Sequence, residues 1–334
     1  MLSRVANSLY WLSRYLERAE NLSRLVDVNR YDALDTLSSS VDETERVWGP
    51  LLYATSLQQT YAAAKANAAE DVDISWFITF STNNNDSIRA CVAQARENAR
   101  MVRDQISEEF WLELNSFHLF LQSREAESLW ENQPNAFYRK TTKACMLFSG
   151  LINATILRDE GWHFIEVGRY LERADKTTRV LDMLVYESAP DQGKLISALR
   201  ACSALSAFKA GHQGEVTLDN VIDFLLFSPS FPRSARFCLR QVDTQLHAIS
   251  GTASGSFSNE AERLAGSTLA QLNFSSIENV TERSYHAYFD ALQKQINHIG
   301  RQIFETYILL PQEIDKLPQY SSSEWQWQQQ QQQQ

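Results

Sequence analysis

The dodecamer RYLERAENLSRL, Arg14–Leu25, returns as RYLERADKTTRV, Arg169–Val180. Around the first copy, Leu9, Leu12, Leu16, Ala19, Leu22 and Val26 recur at spacings of three and four. That pattern predicts a helix over about Arg4–Leu34 with Ser3 as its cap. The second copy lies in a helix predicted from Trp162 to about Glu187, entered through Asp159-Glu160-Gly161, whose carboxylates favour a helix first turn. The chain therefore carries one helical unit twice.

Three further segments recur in the same order. Leu51-Leu52 through Lys65-Ala66 matches Leu195-Ile196 through Lys209-Ala210, and ISWFITF at Ile74–Phe80 matches VIDFLLF at Val221–Phe227. Ser87-Ile88-Arg89-Ala90-Cys91 matches Ser234-Ala235-Arg236-Phe237-Cys238. The offset moves from 155 to 144 and then to 147, as small loop changes would produce. The reading is all-α: a duplicated helical bundle with a pseudo-twofold internal repeat, halves about 1–150 and 155–312 within one domain, 1–316. Only 11 Gly and 7 Pro interrupt the 334 residues, which favours long helices.

Between the repeats, Pro50 is expected to open or redirect a helix running toward Lys65 and Ala66 after a polar break at Ser38–Asp42. Helices are expected over Ser87–Gln105, from Ser107 onward and over Ala136–Leu157, and a long one over about Ile277–Leu310 closes the fold. The tail, residues 317–334 with EWQWQQQQQQQQ, is low-complexity and reads as disordered.

A formal charge of −10 argues against broad nucleic-acid or anionic-membrane binding. Cys91, Cys145, Cys202 and Cys238 lie far apart without a CxxC, as reduced buried thiols do. The first twenty residues hold no apolar signal core, and no run approaches the ~18 apolar residues of a membrane span. A cytoplasmic protein is expected.

At 100° per residue, Arg14, Glu17, Arg18 and Asn21 share a helix sector of roughly 100° opposite the leucine stripe. Arg169, Glu172, Arg173 and Lys176 take the same places in the second copy. One reading is a solvated face with Glu17 paired locally to Arg14 and Asn21, each such pair contributing ~0.2–0.5 kcal/mol. The other is a buried face that crosses to the opposite copy. Arg-Tyr-Leu-Glu-Arg-Ala stays literal while Asn21 becomes Lys176 and Ser23 becomes Thr178, taken here as drifting solvent-facing positions. Guanidinium forks suit buried carboxylate pairing or capture of an anionic ligand.

Arg89, Arg96, Arg100 and Arg103 form a second basic stripe, able to hold a phosphate or peptide carboxylate, or else a solvated face balanced by Glu97, Asp104 and Glu108. Glu160-x-x-His163 has the spacing of a di-iron helix but lacks a second such motif, and His286 and His298 stand outside any motif, so no metal and no cofactor is expected. GxGxxG, P-loop, GxSxG and HExxH signatures are absent.

The opening MLSRVANSLYWLSRYLERAEN, the block ENARMVRDQISEEFW at Glu97–Trp111 and DEGWHFIEVGRYLERAD at Asp159–Asp175 resemble the bacterial Alpha-E family, over about residues 1–312. Carried onto this chain, the Glu-Arg motif is Glu17-Arg18 and its repeat Glu172-Arg173. The resemblance implies an ATP-grasp ligase and a transglutaminase-like protein as partners, in peptide or amide-bond synthesis or modification. Two functions remain open at this point. One is a helical binding or scaffold protein presenting a peptide or carboxylate ligand. The other is an enzyme in which Glu17 or Glu172 acts as general base beside Arg18 or Arg173, which needs a carboxyl pKa raised by burial.

Overall fold

Helices and no strand make up the regular structure of the described residues in a computed structural model, which describes 1–35, 41–67, 72–186, 190–211, 215–282 and 284–309. The first half contributes α1 (Ser3–Asp35), α2 (Val41–Ala54), α3 (Gln58–Asn67), α4 (Ile74–Thr79), α5 (Ile88–Met101), α6 (Glu108–Leu121), α7 (Arg124–Asn132) and α8 (Pro134–Thr155). The second contributes α9 (Glu160–Leu184), α10 (Gln192–Ala201), α11 (Leu205–Gly211), α12 (Leu218–Phe227), α13 (Ala235–Ser250), α14 (Glu260–Asn273), α15 (Ile277–Thr281) and α16 (Tyr285–Tyr307). The glutamine-rich tail and most of the polar break at Ser38–Asp42 lie outside the described residues. No described helix is long and apolar enough to cross a membrane.

The two helices that carry RYLERA are the centre of the packing. Helix α1 lies against α9, and each takes a flanking layer from its own half: α5 and α8 on α1, α13 and α16 on α9. Two helices cross over, α2 onto α9 and α10 onto α1. Leu9, Leu12, Leu16, Ala19, Leu22 and Val26 are all buried, as the stripe demands, and so are Ser13, Arg14, Glu17, Arg18, Glu20 and Asn21 between them. A helix sealed on all sides is normally apolar on all sides. Helix α1 departs from that rule, so its polar sector must be matched internally.

The approach of α1 to α9 depends on Gly168. A Cβ there would lie 2.3 Å from both the Ser13 hydroxyl oxygen and the Tyr10 carbonyl oxygen. Ser13 Oγ already donates to that carbonyl at 2.9 Å, so neither atom has room to retreat.

Helix ends follow local chemistry. Ser87 and Ser234 each N-cap a helix, accepting from Ala90 N at 3.2 Å and Phe237 N at 3.1 Å. Helices α2 and α10 end alike. Ser56 (φ 59°) and Ser203 (φ 53°) are left-handed, with Leu57 N donating to Leu52 O and Ala204 N to Leu199 O. These are the bonds of a Schellman cap, with serine where glycine usually stands.

Several boundaries differ from the sequence reading. Pro50 does not open a helix; it sits inside α2, and the chain redirects at the Ser56 cap instead. Ser3 is the first residue of α1 rather than its cap, since Val5 N and Ala6 N both donate to the Leu2 carbonyl. The closing helix is interrupted. Ser276 and Asn279 form a reciprocal cap on the short α15, and Ser284 (φ 29°) restarts the chain by accepting from Ala287 N. Helix α7, capped by Ser123, was hidden in a polar stretch.

Gly168→Ala is expected to cost more than about 3 kcal/mol, as forced overpacking does at the upper end of its range. Gly150→Ala, mid-helix in α8 with nothing within 4 Å of the new methyl, is expected to be neutral or stabilising by up to about 1 kcal/mol. Urea unfolding of the two variants checks this; equal midpoints would contradict the close crossing.

Candidate functional site

The polar sector of α1 meets that of α9 by reciprocal exchange. Arg18 Nε donates to Glu172 Oε1 at 2.8 Å, with Nη2 to Oε2 at 3.3 Å. In the opposite sense Arg173 Nε donates to Glu17 Oε1 at 2.8 Å and Nη2 to Glu17 Oε2 at 2.7 Å. Each motif glutamate is thus held by the motif arginine of the other copy. Both carboxylates are buried, Glu172 completely.

Flanking groups complete the network. Arg14 Nε reaches Glu172 Oε2 at 2.7 Å, its Nη1 donates to the Tyr10 hydroxyl, and Lys176 Nζ lies 3.3 Å from Glu172 Oε1. Arg18 Nη1 also bonds Asp86. Arg233 Nη1 reaches Glu17 Oε1 at 2.9 Å, and its Nη2 bonds Glu20. Two local pairs sit at matching places: Arg24 with Glu20 and Arg179 with Asp175, each at 2.8 Å.

The solvated-face reading therefore fails, and so does the local pairing of Glu17 with Arg14 and Asn21: Glu17 is held from the other half. The contrast drawn with Asn21, Ser23 and Thr178 also fails in part, because all three are buried rather than solvent-facing. Ser23 Oγ donates to the Tyr138 carbonyl, a bond its environment requires.

Burial alone would raise both motif carboxyls, but the guanidinium groups outweigh it. Arg173 and Arg233 hold Glu17 at about 2, and Arg18, Lys176 and Arg14 hold Glu172 well below the usual carboxylate range. Glu166 behaves differently: burial pushes its carboxyl up, and Arg169 only partly offsets this. Arg169 is the motif-face arginine that does not reach across. Its Nη1 lies 2.8 Å from Glu166 Oε1 on its own helix.

The arginines of the second basic stripe contact neighbouring side chains. Arg96 Nε donates to Asn115 Oδ1 of α6, and the guanidinium groups of Arg96 and Arg103 both stack on Trp111. Arg100 pairs with Glu97 at 2.8 Å, and Arg89 lies beside Phe80. The contacts of Arg96 and Arg103 join α5 and the turn after it to α6. Asp159 caps α9 through Gly161 N and Trp162 N, and His163 Nδ1 faces Gln245 Oε1 at 2.6 Å. His286 Nδ1 faces the buried Asp182 at 2.6 Å. Among the described residues, no three His, Cys, Asp or Glu side chains are grouped as metal ligands. All four cysteines are buried thiols, pushed up by burial and so unreactive.

Sequence reasoning missed Asp86 and Arg233 as network members. Their signal was present: they precede the matched serines Ser87 and Ser234, so opposite charges occupy one repeated position. Glu20 and Asp175, each four residues before an arginine, were legible in the same way.

Glu17→Gln leaves Arg173 and Arg233 facing a neutral group and is expected to cost about 3–5 kcal/mol at pH 7. Glu17 ionises at about 2 in the folded chain against 4.5 as its ordinary value, so its stabilisation is complete above 4.5 and disappears as pH falls toward 2. The contribution is on the order of 3 kcal/mol. Urea unfolding at pH 7, 4 and 3 should therefore show the gap between wild type and Glu17→Gln closing with acid. A gap independent of pH would contradict the buried pair.

The sequence model of the Alpha-E family, described as a predicted alpha-helical domain with a conserved ER motif, matches residues 1–308. Uncharacterized proteins of Mycobacterium bovis and Mycobacterium tuberculosis are 26% identical to this chain over 298 residues, covering 84% of it. The chain spans about a third of the length of these relatives (33%). No solved structure matches. With its Glu-Arg pairs at Glu17-Arg18 and Glu172-Arg173 inside the matched region, the chain belongs to the Alpha-E family.

Proposed function

We propose that this chain is a cytoplasmic helical binding or scaffold protein acting with an ATP-grasp peptide ligase and a transglutaminase-like partner, in peptide or amide-bond synthesis or modification. The observation that carries the non-catalytic half of this reading is the reciprocal exchange itself. Both motif glutamates are saturated by guanidinium groups from the other copy, which makes the pair a framework. A general base needs a pKa near the working pH, whereas Glu17 is held at about 2 and Glu172 lower than usual. The enzyme reading on these residues is correspondingly weaker.

The choice of partners rests on the family resemblance. In the mycobacterial relatives the matched stretch is a third of a longer polypeptide.

We also read the two halves as one duplicated unit about a pseudo-twofold axis, within a single domain spanning 1–316. Four facts support this: the crossed Glu-Arg pairs, the paired Schellman serines, the paired cap serines and the mutual crossover of α2 and α10.

Co-expression with the ligase and the transglutaminase-like protein, followed by size-exclusion chromatography with light scattering, tests the partnership. A stoichiometric complex is expected, formed with ATP or a peptide substrate present. Absence of a complex under every nucleotide and peptide condition would overturn the reading. The ligase product should keep its mass on incubation with this chain alone, and any change would restore the enzyme reading.

A further inference from the structure

We propose that Arg169 floors a carboxylate-binding cleft that takes a single carboxylate group, from a peptide chain end or a free small acid. This inference rests on the scaffold reading and deepens it by naming the chemistry the scaffold would hold. The cleft lies between Ser13, Glu17 and Glu20 of α1, Cys145 and Ser149 of α8, and Arg169 of α9. Arg169 is only 5% exposed, yet its Nη2 is a buried donor without a hydrogen-bond partner. Leaving such a donor unmade costs about 1–3 kcal/mol and more for a charged group.

The two halves differ here for a definite reason. In the first half, Arg14 is used by Glu172 and Tyr10, and Arg18 by Glu172 and Asp86. In the second half the position matching Asp86 is Arg233, which turns to Glu17 and Glu20. Glu17 then has three donors from Arg173 and Arg233 and takes none from Arg169. Arg169 is left with Glu166, and that contact is poorly aligned, since Glu166 Oε1 itself has no hydrogen-bond partner.

Charge favours an anion despite the two carboxylates on the wall. Arg24, Arg169, Arg173 and Arg233 face Glu17, Glu20 and Glu166, four cations against three carboxylates. Burial pushes the Glu166 carboxyl up, so the anion facing Arg169 is held less firmly than Glu17. Nη2 can donate a charge-assisted hydrogen bond to one oxygen of a carboxylate. The floor admits about one water-sized group, so a ligand reaches Arg169 with a single carboxylate oxygen while the rest of the group stays in the mouth of the cleft.

Calorimetric titration of the full chain with acetate, N-acetyl-glycyl-glycine and the C-terminal amide of that peptide tests this. The acid is expected to bind at least tenfold more tightly than the amide. Arg169→Gln and Ser149→Leu, the second narrowing the cleft from α8 without touching an ion pair, should each weaken the acid at least tenfold. Because Arg169→Gln removes a buried charge and can unfold the chain, Ser149→Leu with an unchanged melting temperature decides the matter. Binding by the peptide acid assigns the site to chain ends, and binding by acetate alone assigns it to free small acids. Equal binding of acid and amide, acid binding that survives Ser149→Leu, or no binding at millimolar acid overturns the inference. Those failures leave a ligase complex untouched, whereas carboxylate binding without any complex would defeat the scaffold reading instead.

Discussion

Two buried glutamates, each gripped by an arginine from the opposite copy of the same motif, hold the centre of this protein. Neither helix could bury its polar sector alone. The idealised cost of taking a carboxylate or guanidinium group out of water is of order 20 kcal/mol, and only well-aligned partners return it. Because the partners sit on the other helix, α1 and α9 can be sealed only together. The remaining layers, α5 and α8 on one side and α13 and α16 on the other, enclose a pair that is already obligatory. Gly168 is part of the same constraint, since the fork of Arg173 reaches Glu17 only if the backbones approach at Ser13.

The network need not add net stability to fix geometry. Buried ion pairs often break even against an apolar core of equal volume. Their effect is on alternatives: sliding α1 along α9 would pull Glu17 and Glu172 out of the forks of Arg173 and Arg18. The arrangement thus specifies one register between the helices. A literal RYLERA in both copies is what such a requirement would preserve, because each motif glutamate is bonded by the motif arginine of the other copy.

Much of this was legible in the chain. Apolar spacing located α1 and α9, serines located the starts of α5 and α6, and the repeated hexapeptide located the buried pair. Internal comparison could separate a structural face from a solvated one, because identity within one chain needs an explanation. What failed was local. Pro50 reads as a start, yet Ser56 sets the turn through a left-handed backbone that serine rarely signals. The break at Ser284, where φ is 29°, was not read from the spacing that suggested one long closing helix. Ser23 and Thr178 looked like drift because substitution was equated with exposure, when both fill sealed sites with a hydroxyl. The difference between Asp86 and Arg233, which frees Arg169, is readable only once the repeat is aligned residue by residue.

The central claim is that each Glu-Arg motif is completed by the other copy, and a double-mutant cycle addresses it directly. Unfolding free energies of Glu172→Gln, Arg18→Gln and the double variant give the coupling across the helices, and Glu17 with Arg14 gives the within-helix comparison. Coupling of about 2 kcal/mol is expected across α1 and α9, and close to zero between Glu17 and Arg14. A dominant within-helix coupling, with none between Glu172 and Arg18, would contradict the account.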